Sequence, residues 1–312
     1  MTESRGEVFD LGYQHYDGPR EGRSRARKAV FWNGVRTVLG LGRGPKSKIL
    51  PILLFVAAML PAVIFAMILS VAGPAADFIP GPGDYYRVVS LVLLIFSAIS
   101  APELLAPDRR DRVIDLYLVR PLTSTDYVIG RLLAFFAVVL VLVYSGQIVL
   151  QVALILTSSD PLDFISENWL DIPRFLGVGV LVALYMAALP MAVAAFTDRR
   201  AIASAFVIGL FIISSGMADG LAGEQCHVAA GGEGHFECEP VTGDAAKWFS
   251  LISIRDVPIR VNDLVFSTDE DDGPPAAVAA RDLPPVVPIA VYVLLTGGPL
   301  AALWWRYRRI QI

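Results

Sequence analysis

The stretch APELLAPDRRDRVIDLYLVRPLTSTDYVIGR, residues 101–131, lies between two long apolar runs and places six charged residues between positions 108 and 115. Apolar residues follow directly, so the stretch has the pattern of an amphipathic helix. The Arg-Pro pair at 120–121 ends that helix, because proline disfavours the helical conformation of the residue before it. Thr123, with Asp126 three residues later, predicts a capping box for the next helix. We therefore expect a short helix lying across one end of a helical bundle.

The amino-acid composition indicates whether this bundle lies in water or in a membrane. Of the 312 residues 55% are hydrophobic and only 18% are charged, whereas a soluble domain averages about 25% charged residues. The charges are clustered, which leaves six apolar stretches near the length of roughly 20 residues that a bilayer requires. We predict an all-α polytopic membrane protein with spans at residues 49–72, 85–104, 127–157, 175–196, 201–218 and 286–305.

Two segments outside the spans have helical patterns of their own. Residues 24–42 read as a basic amphipathic helix in the interface plane of the membrane. The long segment before the last span carries an apolar middle that is interrupted by Pro258, so we expect short helices there. The basic side chains of the interfacial helix that we expect to face water or headgroups are Arg25, Arg27, Lys28 and Arg36. The predicted regions are a tail with the interfacial helix (1–48), five spans (49–218) with an internal loop (103–126), an outer segment (219–283), and the sixth span with a short tail (284–312).

The distribution of Lys and Arg predicts the orientation. Of 26 such residues, 20 fall on the side of the membrane that holds both termini and the 101–131 loop. Cytoplasmic loops carry an excess of Lys and Arg. We therefore expect a multi-pass plasma-membrane protein with both termini in the cytoplasm and with residues 158–173 and 219–283 outside.

Two cysteines, Cys226 and Cys238, lie close together in the outer segment. An oxidising compartment favours a disulfide between them. His227 and His235 fall in the same window, so a metal site built from the four residues is the alternative. We predict the disulfide and no metal site.

The spans carry few groups that could drive or catalyse a reaction. No Asp, Glu, His, Lys or Arg lies near the centre of a predicted span, although ion-coupled transporters usually place such residues at membrane depth. The sequence also shows no catalytic constellation, so we do not expect an enzyme. The most polar face belongs to the third span, at Tyr144, Gln147 and Gln151. These residues either form hydrogen bonds between helices or line a substrate path, which Ser204 and Ser214 of the fifth span would share.

The segment PELLAPDRRDRVIDLYLVRPLTSTDYVIGRLLA, residues 102–134, resembles the membrane permeases of type-2 ABC transporters. Their pattern is P-E-L-x-x-x-D-x-x-x-x-x-x-x-L-Y-L-x-R-P-L-x-x-x-D-Y-x-x-G-[RK]. The interfacial helix, six spans, short basic turn at 197–200 and outer helices occur in the same order as in these permeases. Residues 9–23, FDLGYQHYDGPREGR, resemble the N-terminus of actinobacterial members.

This resemblance implies a role for the loop. The segment around 103–120 would be a coupling helix that sits in a groove of a separate cytoplasmic ABC ATPase, and Asp198–Arg200 would be a second, smaller contact. Arg109, Arg110 and Arg112 would make charge-assisted contacts with carboxylates, while Pro121 would fix the bend into the third span. The residues expected to couple to the ATPase are Glu103, Asp108, Arg109, Arg110, Arg112, Asp115, Leu116, Tyr117, Arg120, Pro121, Asp198, Arg199 and Arg200.

The resemblance also implies partners. Two permeases, identical or related, would form the path at their interface within the lipid bilayer, and ATP with Mg would bind the ATPase, so that this chain needs no cofactor. No nucleic-acid partner is expected. The interpretation is a permease of an ATP-driven exporter. The alternatives are a secondary transporter, a polytopic membrane enzyme, and an ATPase-linked sensor or regulator that moves no substrate.

Overall fold

A computed structural model describes residues 22–42, 44, 46–72, 80–81, 83–111, 113–118, 122–228, 236–267 and 274–309. Its helices are α1 (Gly22–Val38), α2 (Lys46–Ala72), α3 (Tyr85–Arg110), α4 (Val113–Leu118), α5 (Ser124–Thr157), α6 (Pro161–Glu167), α7 (Asp171–Phe196), α8 (Arg200–Ala222), α9 (Ala246–Phe249), α10 (Val257–Phe266), α11 (Pro275–Ala279) and α12 (Val286–Arg308). The strands are β1 (Glu224–Val228) and β2 (Phe236–Pro240).

The predicted helical membrane fold is confirmed. Among the described residues, six helices are long and apolar enough to cross a bilayer, namely α2, α3, α5, α7, α8 and α12. A helix suits this environment because all of its backbone groups are hydrogen-bonded within the segment. With 34 residues α5 is the longest, and at about 1.5 Å per residue it exceeds the hydrocarbon thickness by many ångströms.

The second span is longer than predicted. The predicted span ends at Leu104, where hydropathy falls, but α3 continues to Arg110. The additional turns bury Leu105 and Ala106 against neighbouring helices. Packing therefore sustains the helix beyond the point at which its sequence stops looking like a membrane span.

The bundle is built around α7, which is the most completely buried span, while α2 is the least buried. Helix α7 packs against α12, α3, α5, α8 and α10. Its buried positions are rich in alanine, including Ala183, Ala187, Ala188, Ala194 and Ala195, all fully buried. Small residues let helix backbones approach closely in membranes, where packing rather than water exclusion holds helices together.

Tyrosines of α3 and α5 fill the spaces left by two glycines. Tyr85 reaches over Gly146 of α5 and donates a hydrogen bond to the carbonyl of Ala58 at 2.9 Å. Tyr144 lies against Gly179 of α7. A Cβ at either glycine would overlap the facing ring, so these contacts fix how closely the spans pack.

The chain between α8 and α12 covers one end of the bundle. Its short helices include α10, which packs on α7 and α12, and α11, which packs on α8. This segment also contains an antiparallel two-stranded hairpin of β1 and β2 that the sequence analysis did not predict. We call this the hairpin end, and we call the opposite end, where α3 stops and α5 begins, the junction end.

Replacing Gly179 with alanine is expected to lower the free energy of unfolding by about 1–3 kcal/mol, because the added methyl overpacks the contact with Tyr144. Gly177, two residues away on the same helix, has open space where a Cβ would stand, so Gly177→Ala should not destabilise the protein and should stabilise it by up to about 1 kcal/mol through helix propensity. Unfolding of the detergent-solubilised protein in SDS measures both. Equal effects of the two variants would contradict the close packing described here.

Candidate functional site

The candidate site lies at the junction end and begins with the cap of α5. Thr123 Oγ1 accepts a hydrogen bond from the backbone N–H of Asp126 at 3.2 Å, and Asp126 Oδ2 accepts one from the backbone N–H of Thr123 at 3.0 Å. The predicted capping box is therefore confirmed. It fixes where the third span starts relative to the loop before it.

The same carboxylate holds α1 in place. Arg23 Nε and Arg27 Nε donate to Asp126 Oδ2 and Oδ1 at 2.8 and 2.7 Å. Arg27 was expected to face water or headgroups; its side chain is 53% exposed, in agreement with that expectation, and its guanidinium also pairs with Asp126 of α5. Close contact of Val30 with Gly130 brings the two helices together, so α1 packs on the bundle as well as carrying exposed basic residues.

A buried arginine joins three helices beneath this cap. Arg131 of α5 is only 1% exposed, and its Nη2 donates to Asp108 Oδ2 of α3. Its Nη1 donates to Asn33 Oδ1 of α1 at 2.9 Å. Tyr127 Oη donates to the same Asp108 oxygen at 2.7 Å. A buried charge is costly unless it is paired and hydrogen-bonded, so Arg131 requires α1 and α3 to meet α5 here.

Three tyrosine rings continue the contact toward α4 and α12. The ring centroids of Tyr117 and Tyr127 are 5.8 Å apart, and those of Tyr127 and Tyr307 are 5.6 Å apart. These distances fall in the favourable range for aromatic pairs. Tyr117 belongs to α4, so the short helix of the loop is connected through Tyr127 to the last turn of the sixth span.

Arg109 connects the end of α3 to the end of α7. Its guanidinium donates to the backbone carbonyls of Ala194, Ala195 and Thr197, with the bond to Ala194 at 2.6 Å. Its Nη2 also lies 3.4 Å from Asp198 Oδ1. The last carbonyls of a helix have no partner within the helix and carry partial negative charge. An arginine in this position caps α7 and ties the 197–200 turn to α3.

We call these residues together the charged junction. They are Asn33, Asp108, Arg109, Tyr117, Asp126, Tyr127, Arg131 and Tyr307. The junction unites α1, α3, α4, α5, α7 and α12 in one set of contacts. A force applied to α4 would therefore reach the ends of four spans.

The remaining residues predicted for coupling occupy different environments. Arg110 is 64% exposed and pairs with its neighbour Asp111 at 3.0 Å. Glu103 is half-buried on α3, Arg199 is exposed in the turn before α8, and Arg200 begins α8. Asp115 and Leu116 lie on α4. The predictions for Arg112, Arg120 and Pro121 fall outside the described residues.

Several members of the junction were not among the site residues predicted from the sequence. They are Asn33, Asp126, Tyr127, Arg131 and Tyr307. One signal was present, because Tyr127 and Arg131 are four residues apart at the start of an apolar helix, so they lie on one face. No sequence signal pointed to Tyr307, which is 180 positions from Tyr127 in the chain.

The residues predicted to line a path do not form one group. Tyr144 donates to the carbonyl of Leu176 of α7, and Gln147 is fully buried. The bond of Tyr144 therefore joins α5 to α7, while the evidence on Gln147 is its burial. Ser214 of α8 lies elsewhere, near the hairpin end, where its hydroxyl donates to the carbonyl of Phe211 and accepts from the N–H of Ile254. Gln151 is half-buried on α5, as is Ser204 on α8.

The hairpin end has its own buried charges. Asp263 of α10 is nearly fully buried and lies 3.1 Å from Nη2 of Arg87, and Asn262 donates to the carbonyl of Gly83 at 2.7 Å. Burial raises the pKa of Asp263 above its ordinary value, against the opposing effect of Arg87. Burial also raises the pKa of Asp256, whose carboxylate accepts from Ser253. The contacts of Asp263 and Asn262 hold α10 against the start of α3.

The cysteines predicted to form a disulfide are placed by the hairpin. The register of β1 and β2 pairs Cys226 directly with Cys238. Directly opposed residues of antiparallel strands have Cα atoms about 4.5–5.5 Å apart, which lies within the range of roughly 4.4–6.8 Å found in disulfides. The alternative metal site depends in part on His235, which lies outside the described residues.

Truncation of Arg109 to alanine should lower the free energy of unfolding by about 1.5–3 kcal/mol, because bonds from a charged donor to buried carbonyls are lost. The neighbouring variant Arg110→Ala removes an exposed charge and should change it by less than about 0.5 kcal/mol. Both are measured by SDS unfolding of the purified chain. Two variants of equal stability would show that Arg109 does not hold α3 to α7.

Residues 7–309 match the family described as ABC-2 family transporter protein, which is nearly the whole chain. No curated protein matches it.

Proposed function

The chain belongs to the ABC-2 transporter family, and on this premise we propose that it is the membrane permease of an ATP-driven exporter whose ATPase is a separate chain. Permeases of this family lack ATPase activity, carry no cofactor of their own and generally pair with ABC ATPase subunits. ATP and Mg would therefore act on the partner. The actinobacterial lineage suggested by residues 9–23 remains a prediction.

The charged junction is the observation that carries the proposal. A permease without catalytic groups receives its energy as movement, so it needs a rigid connection between the surface that the ATPase pushes and the helices that must move. Helix α4 is such a surface, since Tyr117 connects it to Tyr127 and Tyr307. Arg109 extends the connection to α7. In the proposed mechanism the ATPase displaces α4, and this displacement is transmitted to α3, α5, α7 and α12 together.

Within this mechanism the junction residues divide into two groups. Arg109, Asp108 and Tyr117 make contacts inside the chain, so they position the coupling surface. Arg110, Arg199 and Arg200 lie at or beside that surface, and the exposed guanidinium of Arg110 is the strongest candidate for contact with ATPase carboxylates. Arg109 thus acts through α7 rather than as a direct docking residue.

The proposed orientation places the junction end in the cytoplasm and the hairpin end outside the plasma membrane. The excess of Lys and Arg at the junction end supports it. The paired register of Cys226 and Cys238 supports it as well, because an oxidising compartment at the hairpin end would allow the disulfide that we propose.

The proposed translocation path follows the free side of α8, against a second permease. An apolar groove of about 550 Å3 lies there and is lined by Phe206, Ile213, Met217 and Ile254, with Ser214 as a polar member. The large apolar side chains Phe206, Ile213 and Met217 are more than half exposed in the single chain. Such a contiguous apolar face suits an amphiphilic cargo between two copies.

Coupling is tested with the variant Arg110→Glu. The chain is purified from its host in mild detergent, the ABC ATPase that accompanies it is identified by mass spectrometry, and both are returned to proteoliposomes. Charge reversal should weaken association with the ATPase about tenfold, equivalent to ~1.4 kcal/mol, with a matching loss of the permease-dependent ATP hydrolysis. The control Lys247→Glu makes the same charge change at the hairpin end and should leave both unchanged.

Three outcomes would contradict the proposal. Absence of any ABC ATPase from the purified complex would remove the energy source. Transport in ATP-free vesicles would instead indicate a secondary transporter. ATP hydrolysis that responds to a ligand without movement of that ligand across the membrane would favour the sensor or regulator.

The disulfide is tested separately by replacing Cys226 with serine. Loss of a cross-link that closes a short loop should destabilise the hairpin by about 2–4 kcal/mol, so protease cleavage between residues 224 and 240 should become faster. The variant Cys238→Ser should have the same effect, and the double variant should add nothing. Free thiols in the native protein, detected by alkylation without reductant, would refute the bond.

A further inference from the structure

A second apolar groove lies part-way along the bundle, on its outside, between the turn after α1 and the spans α2, α3 and α5. We call it the α2 groove. Its free volume is about 310 Å3, at the lower end of the size range of ligand pockets, roughly 300–1,000 Å3. Its lining includes Leu39, Leu41, Lys48, Ile52, Phe55 and Val141.

The turn after α1 forms the lip of the groove. Gly40 and Gly42 have φ values of 66° and 83°, in the left-handed region that glycine adopts without steric cost. The N–H of Leu41 bonds back to the carbonyl of Arg36 at 2.7 Å. This turn holds Leu39 and Leu41 beside the first turns of α2. The backbone conformation therefore fixes the position of the lip.

The walls of the groove lie on membrane spans and remain uncovered in the single chain. Ile52 of α2 and Val141 of α5 are each 60% exposed. In a bilayer an apolar cleft on the lipid side of a bundle is filled by hydrocarbon, because water there would find no polar partner. The body of the occupant is therefore an acyl chain.

The charge at the mouth selects the headgroup. Lys48 begins the first span and is the one charged side chain among the described residues that line the groove. The adjacent helix α1 contains basic residues and no acidic residue. Arg23 and Arg27 are paired with Asp126, whereas Lys28 and Arg36 lie on the exposed side. Basic side chains at a membrane surface attract anionic lipids.

We propose that the α2 groove binds an anionic glycerophospholipid, with its phosphate at Lys48 and one acyl chain along Ile52, Phe55 and Val141. The lipid fills the space between the interfacial helix and the first span. It thereby fastens α1, and with it the charged junction, to the membrane surface.

The test uses the full chain in phosphatidylcholine nanodiscs that contain a small fraction of phosphatidylglycerol with a photoreactive acyl chain. Illumination should label peptides of α2 and α5 at the groove. In Lys48→Gln the labelling should fall about five-fold, the effect of one basic residue near an anionic surface. The matched control Lys247→Gln removes a lysine at the hairpin end, outside the groove, and should label normally. A phosphatidylcholine probe with the same acyl chain should label about five-fold less.

A second variant keeps the test decisive if Lys48→Gln does not fold. Val141→Trp fills the groove from an exposed position, so it should abolish labelling while Lys48 is retained. Equal labelling by the two lipid probes would overturn the anionic selectivity.

An Ile52→Cys variant, with both native cysteines replaced by serine, tests for another occupant. Efficient cross-linking between copies at Ile52, without lipid labelling, would show that a second copy covers the groove and would overturn the proposal.

Discussion

Burial of the Arg131 guanidinium is the constraint on which the junction end depends. An unpaired charge in this position would be intolerable, and loss of one partner of a buried ion pair typically costs about 3–5 kcal/mol. The partners come from separate helices, Asp108 from α3 and Asn33 from α1. Satisfying one side chain therefore sets the positions of three helices at once, and the tilted ring contacts of Tyr127 with Tyr117 and Tyr307 add α4 and α12.

The bundle combines a rigid centre with an uncovered periphery. Alanines of α7 and the Tyr–Gly contacts at Gly146 and Gly179 leave little freedom between the central spans. The outer spans α2, α8 and α12 expose much of their apolar surface. A rigid centre suits a body that moves as a unit, while the exposed faces remain available to lipid and to a second copy. The proposed movement of the bundle depends on the rigid centre, and the proposed lipid site depends on the exposed periphery.

The sequence was sufficient for the six spans and the cap at Thr123, because these depend on hydropathy and local spacing. The end of α3 was missed because Leu105 and Ala106 are held by tertiary packing, which hydropathy does not record. The role of Arg109 was also beyond the sequence, since its acceptors are backbone carbonyls with no residue signature. The hairpin did leave a signal in the sequence, because apolar and polar residues alternate around Cys226 and Cys238. Each strand has only five residues, so the alternation was too short to predict a strand.

The acceptors of Arg109 have a consequence for how this protein can vary. Carbonyl oxygens are the same for every residue type, so substitutions at Ala194, Ala195 or Thr197 that preserve the helix leave the link intact. Only a change of Arg109 itself, or unwinding of the last turn of α7, removes it. Related chains are thus free to diverge in the 197–200 turn, where different ATPases would be recognised, without losing the mechanical attachment behind it.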